Sequence, residues 1–345
     1  MEIRKRNTGI PIKEDPITSE HLDDRDEHRS RRNSINWLYL VVLSLGWVGV
    51  VHYFERIVPY RIIEKCQWKQ WEKWPSDRDV HRIALLADPQ IVDDYSYPKQ
   101  FKFFNFFVRA GADNYLHRNF QIMQEILDPD TTIFLGDLFD GGRYWEDDQW
   151  IAELKRFNKV FPKRVNRRDI RSIPGNHDIG FQTIHKHIQD RFAQYFGDLN
   201  DYIELGNHTI VMFDSISLSH PNETILRESR EFLESINQRI NPAYPRIILT
   251  HVPLYRFPDS QLCGPLRESK KLFPLVRGDE YQTVIEYGFS QEILKTIQPE
   301  IIFAGDDHDY CDIIQHYQTS NGIDKQTREI TMKSPAMTSG RLIVA

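Results

Sequence analysis

The sequence predicts a layered α/β domain set behind a single membrane-spanning helix, and three observations lead there. Five short apolar runs, at 83–87, 132–135, 171–174, 247–249 and 301–304, each end in polar residues of metal-ligating type. The stretch from Ile35 to Phe54 contains no Asp, Glu, Lys or Arg. The first 34 residues, by contrast, are crowded with charge and nearly lack apolar side chains.

Taken in order, residues 1–34 cannot bury enough apolar surface to offset the entropy of ordering, and read as a disordered cytosolic tail. Residues 35–54 have the length a helix needs to cross a bilayer. Trp37, Tyr39, Tyr53 and Phe54 near the ends suit the interfacial layers. The competing description, a core helix, lacks anything for such a uniformly apolar stretch to pack against. A cleaved signal peptide would begin earlier and end in small residues, so a signal anchor fits better. Basic residues flank the span on both sides, so charge does not orient it. Two glycosylation triplets, Asn207-His208-Thr209 and Asn222-Glu223-Thr224, are usable only in a lumen and favour a lumenal domain.

Residues 55–81 form a membrane-proximal connector. Its Trp68, Trp71 and Trp74 recur at helical spacing and are expected to pack on the domain. The domain itself spans 82–345. Within it, 119–127 and 146–161 are helix candidates, and 204–215 reads as a hairpin turning at Gly206-Asn207. Residues 255–289, rich in Pro and Gly, form a long irregular insertion of the kind that edges a binding site. The aromatic run Phe101, Phe103, Phe104, Phe106 and Phe107 is expected in the core. His185 and His187 are expected at the surface, Asp93 and Asp94 in a solvated loop, and His117 stays unassigned.

At 345 residues with 40% hydrophobic side chains, the chain can build a substantial core. A formal net charge of −6, with no basic stripe, argues against nucleic-acid binding. Three cysteines are too few for a disulfide scaffold. A single bridge, Cys263 with Cys311, would fit an oxidising compartment, although spacing alone does not fix the pairing.

The residues after the five runs are Asp88-Pro89-Gln90, Gly136-Asp137-Leu138-Phe139-Asp140-Gly141-Gly142-Arg143, Gly175-Asn176-His177-Asp178, Thr250-His251 and Gly305-Asp306-Asp307-His308-Asp309. Hydrolysis of a phosphoester is slow because its oxygens repel nucleophiles. Two cations held by a shared carboxylate overcome this by clamping the phosphate and acidifying water. Asp137 is the candidate shared carboxylate, with Asp140 near enough to orient its neighbours.

In this order and spacing the blocks resemble the calcineurin-like metallophosphoesterase superfamily, with its D-x-H, GDxxDxG, GNH[DE], lone H and G-H-x-H pattern. The resemblance implies a two-sheet β-sandwich flanked by helices, with a dimetal site at strand ends. It further implies that Asp88 and His308 hold one metal, Asn176 and His251 the other, and that Asp137 bridges. His177 would assist the leaving oxygen, Asp178 would orient His177, and Arg143 would hold phosphate or the Asp loop. Gln90 and Asp306 stand where the pattern has histidines. As ligands they make the site richer in oxygen, which favours Mn while leaving Zn or Fe open.

The LADPQ, GDLFDGGR and GDDHDYC runs further resemble the membrane-anchored branch that removes ethanolamine phosphate from the mannose core of glycosylphosphatidylinositol (GPI) anchors in the endoplasmic reticulum. The expectation is therefore a dimetal phosphodiesterase of the endoplasmic reticulum or Golgi membrane. Its substrate would be GPI glycolipid or GPI-anchored protein. That branch has a second, C-terminal span that this sequence does not show. Two alternatives stay open, a phosphatase for another phosphoester and an anchor-binding cargo receptor with little catalysis.

Overall fold

The structure is a computed structural model that describes residues 36–74, 79–94, 96–97, 99 and 101–337. The tail expected over 1–34 lies outside the described residues. The chain divides into two units, Met1–Ile57 and Val58–Ala345.

In the first unit, helix α1 (Trp37–His52) starts at Asn36, whose side-chain oxygen accepts the Tyr39 amide at 3.1 Å. A π-helical turn, Tyr53–Ile57, follows. Continuous helix extends from Trp37 to Glu64, ten residues past the expected end of the span, with mean hydropathy 1.7 in its apolar window. No residue of α1 is buried, which removes the core-helix alternative. This helix is long and apolar enough to cross a membrane.

The second unit runs from α2 (Val58–Glu64) through β1 (Ile83–Leu86), α3 (Lys102–Leu127), β2 (Thr131–Phe134), α4 (Asp147–Val160), β3 (Arg168–Ile170) and α5 (Asn176–Ile179). It continues through α6 (Lys186–Phe196), β4 (Asp201–Leu205), β5 (His208–Met212), α7 (Ser215–Leu218), α8 (Glu223–Arg239) and β6 (Arg246–Leu249). The last elements are β7 (Arg277–Gly278), β8 (Tyr281–Gln282), α9 (Tyr287–Ile297), β9 (Ile301–Ala304), β10 (Cys311–Gln318) and β11 (Asp324–Thr331).

Strands β1-β2-β3 make a parallel sheet, and β10-β11-β9-β6-β5-β4 a mixed one. In the larger sheet β5, β6, β9 and β11 are parallel neighbours, and antiparallel strands close both edges. Alternation of side chains makes the sandwich. Ile133 and Leu135 of the small sheet share one apolar cluster with Ile210, Met212 and Leu249 of the large one. The intervening Phe134 faces outward to Phe120, Phe157 and Phe161 under helices α3 and α4. Likewise Val211, Ile248 and Ile302 face outward to Phe232, Leu233 and Ile236 of α8 and Ile293, Leu294 and Ile297 of α9. Truncating a fully buried side chain such as Ile133 to Ala would cost about 2–5 kcal/mol.

The hairpin forms where expected, with Gly206 and Asn207 both left-handed at φ 56° and 60°. Three expectations change. The run 171–174 is not a strand, because pairing with β2 uses Arg168–Ile170 and ends there; Pro174 then lacks a donor. Helix α3 begins at Lys102 rather than 119, and its body packs through Ala112, Leu116 and Phe120. The five phenylalanines at its start fall on the remaining faces and are 56–78% exposed, so they are not core.

The connector is tied to the second unit. Helix α2 packs on α3 and buries Pro59 and Ile63, while the Trp68 indole donates to the Leu127 carbonyl. Trp71 and Trp74, expected to pack, are exposed. The insertion is stapled to β10 by a Cys263–Cys311 disulfide. Beside it Arg256, fully buried, donates to Glu329 at 3.1 Å and lies over the Phe273 ring.

Candidate metal centre

The C-terminal ends of β1, β2, β6 and β9, with the loop after β3, converge between the two sheets. The exits from β1, β2 and β9 place non-glycine residues in left-handed backbone: Asp88 (φ 52°), Gln90 (32°), Asp137 (49°), Asp306 (69°) and His308 (61°). Such conformations are costly for ordinary residues and cluster where a chain must aim a side chain.

One ligand atom from each of Asp88, Asp137 and His251 falls within 4.8 Å of the others, and all three residues are buried. His251 Nδ1 donates to the Leu135 carbonyl at 2.7 Å, which leaves Nε2 as the free donor atom. That Nε2 lies 3.3 Å from Asp137 Oδ1, 3.4 Å from Asn176 Oδ1 and 3.8 Å from Asp306 Oδ1. His308 Nε2 approaches Asp88 Oδ1 at 4.0 Å. Asn176 is aimed by the insertion, because its Nδ2 donates to the Glu280 carbonyl at 2.9 Å and so turns Oδ1 inward.

This concentration of buried carboxylate fits bound cations. Asp88 Oδ2 and Asp306 Oδ2 are buried without a hydrogen-bond partner, an arrangement that costs free energy unless a cation completes it. Burial, reinforced by Asp137, pushes the Asp88 and Asp306 carboxyls up, Asp306 to about 7. Against the effect of burial, His251 and His177 hold Asp137 low. The donor set of carboxylates, amide oxygen and imidazoles suits divalent metal.

The Gln90 amide nitrogen donates to Asp137 Oδ2 at 2.8 Å, so this residue also braces the carboxylate. The expectation that Asp178 orients His177 is corrected. Asp178 is buried and accepts the amides of Leu138 (3.2 Å), Phe139 (3.0 Å) and Gly175 (2.9 Å), which ties the Asp137 loop to the start of α5. His177 Nδ1 instead meets Asp140, at 2.7 Å from its carbonyl and 3.0 Å from Oδ1. Against burial, Asp137 and Asp140 raise His177 to about 9. The Arg143 guanidinium donates to the Asn176 carbonyl at 3.3 Å and stacks on Tyr144 at 4.5 Å, beside His177.

Other polar residues settle elsewhere. His117 bonds the Val160 carbonyl at 2.9 Å, away from the site. His185 and His187 are exposed and stack on each other. Asp94 pairs with Arg109, but Asp93 is buried and reaches Asp140 through Ser96, contrary to a solvated loop. Sequence reasoning missed Glu280, Ser334, whose hydroxyl donates to the Asp88 carbonyl at 2.7 Å, and Arg267, which pairs with Asp307 inside the β9–β10 loop. None of these sits in a motif, so only the folded chain shows them.

A sandwich with acid, amide and imidazole donors at its strand ends is the architecture of a metallophosphoesterase. The chain matches the calcineurin-like phosphoesterase model over residues 81–310 and belongs to that family; it is a metal-dependent phosphoesterase. It is 48% identical over 335 residues to cell division control protein 1 of Saccharomyces cerevisiae, covering 93% of this chain and 68% of that one. It is also 24% identical to metallophosphoesterase 1 of Rattus norvegicus (83% and 75% covered) and 25% identical to that of Danio rerio (79% and 74%).

Proposed function

We propose that this phosphoesterase is a phosphodiesterase that removes ethanolamine phosphate from the mannose core of GPI anchors, held by α1 in the endoplasmic reticulum membrane with its catalytic unit lumenal. The observation that carries the reading is the buried donor set, with Asp306 in place of a histidine and Gln90 bracing Asp137, in motif runs that resemble the membrane-anchored branch. Asp88, Asp137, Asn176, His251, Asp306 and His308 would hold two divalent cations, and so many oxygens favour manganese. When bound, the cations neutralise the phosphoryl oxygens and supply activated water.

The chain's own residues do the rest. His177, with Nδ1 held by the Asp140 carbonyl, is placed to give a proton to the departing mannose oxygen as the P–O bond breaks. Asp178 fixes the backbone that carries Asp137, and Arg143 supplies a cation for the substrate phosphate. Hydrolysis adds one water and releases ethanolamine phosphate and a mannose hydroxyl.

Two features support a lumenal catalytic unit. The Cys263–Cys311 bridge needs an oxidising compartment. Asn207, at a hairpin turn, and Asn222, before α8, are both exposed and accessible to glycosylation. The test is mass spectrometry of an ethanolamine-phosphate-bearing anchor glycan incubated with the full chain and Mn, beside Asp137→Asn. Loss of the group with the unaltered chain alone is expected. An intact glycan alongside cleavage of a generic phosphodiester would keep the chemistry and remove the substrate.

A further inference from the structure

Helix α3 changes character along its length. From Ala112 onward its apolar residues are buried, Leu116 and Phe120 at 4% exposure. Over its first turns the order reverses: Asn105 is buried, while Phe101, Phe103, Phe104, Phe106 and Phe107 stand 78, 68, 58, 66 and 56% exposed. Edge contacts of 5.0–5.8 Å link Phe103, Phe104, Phe106 and Phe107. Four exposed rings in mutual contact, with exposed Phe101 just before them, form an aromatic surface that soluble proteins rarely carry.

What covers it is indicated by the chain that packs on the same helix. Helix α2 continues directly from the apolar helix that begins at Trp37, and it lies against α3. Exposed aromatic rings on a helix against which the continuation of the apolar span packs suit the interfacial layer, where rings sit among headgroups and upper acyl chains.

We propose that the phenylalanine tip of α3 seats in the interfacial layer of the bilayer that α1 spans, giving the catalytic unit a second attachment besides its helix. This rests on the reading of α1 as a membrane span. A unit attached at two places cannot swing freely on its connector, so it is held at a fixed height above the lipid. Such a height selects phosphoesters carried close to the membrane surface.

The test uses the full chain in phosphatidylcholine liposomes, with Cys66→Ser and Phe104→Cys labelled by an environment-sensitive fluorophore. Val165→Cys, at a residue 88% exposed and remote in sequence, serves as control. The expected result is blue-shifted emission at 104 that brominated lipid quenches, with neither effect at 165. Resistance to alkaline carbonate extraction is measured in parallel. A carbonate-resistant chain whose label at 104 stays aqueous overturns the docking and leaves the span intact. A blue-shifted label that brominated lipid does not quench overturns it in favour of a protein contact. A chain that carbonate extracts overturns the span and the docking together.

Discussion

At the strand ends, Asp88, Asp137, Asp306 and His251 are removed almost wholly from solvent, whereas the first turns of α3 hold five phenylalanines out in it. Each region inverts the ordinary rule of burial. The costs differ in kind. Buried charge without a counter-ion opposes folding by several kcal/mol per group, so the catalytic loops are a place where the fold gives up stability for function. Exposed phenylalanine costs little in folding, since it is as exposed in the unfolded chain. One region is strained until cations arrive, and the other is merely unsatisfied until lipid does.

The comparison can be broken most severely at the shared carboxylate. Asp137→Asn is expected to abolish turnover of a generic phosphodiester and to leave the chain without bound Mn by elemental analysis; an active variant would remove the bridging role. Next is His177→Ala, expected to lower kcat about 10²–10⁴-fold while cation content is unchanged. Loss of metal along with rate would make His177 a ligand instead. Asp140→Asn, which removes the negative charge beside His177 while the backbone carbonyl still holds Nδ1, should cost about 10–100-fold, more than Asp94→Asn on the exposed neighbouring loop.

Stability sharpens the contrast further. Asp306 and Asp178, raised by burial from 3.8 to about 7, contribute stability that is present below 3.8 and lost as pH rises through about 7. The melting temperature of the metal-free chain should therefore fall between pH 5 and pH 8. Added Mn should flatten that slope, and Asp306→Asn should raise the metal-free melting point while lowering activity. The smallest effect belongs to the other region. Phe103→Ser with Phe107→Ser should shift stability in detergent by within about 0.5 kcal/mol, read by denaturant melting.

The catalytic region was the more legible of the two. Apolar runs of strand length, ended by Asp, Asn and His, located the donors because strand ends are where an α/β sandwich presents side chains. Which acid braces His177 was not legible. Asp140 and Asp178 both lie close to it in the motifs, and the choice depends on how the Asp137 loop folds back on Gly175. The strand before Pro174 was misplaced because apolar content marked the run, while pairing with β2 chose the three residues before it. The phenylalanines of α3 misled for a related reason. Aromatic content says that a surface wants cover, but five rings in seven positions span too wide an arc to say what covers it.

The hydroxyl of Ser334 donates to the carbonyl of Asp88, a contact across 246 residues. The donors themselves span Asp88 to His308, and Asp306 donates its amide to Asp88 Oδ1 at 2.9 Å. A nascent chain that has released only its first parallel sheet therefore holds Asp88 and Asp137 without His251, Asp306 and His308. Because the donors come from both sheets, the centre is complete only once the second sheet has docked on the first.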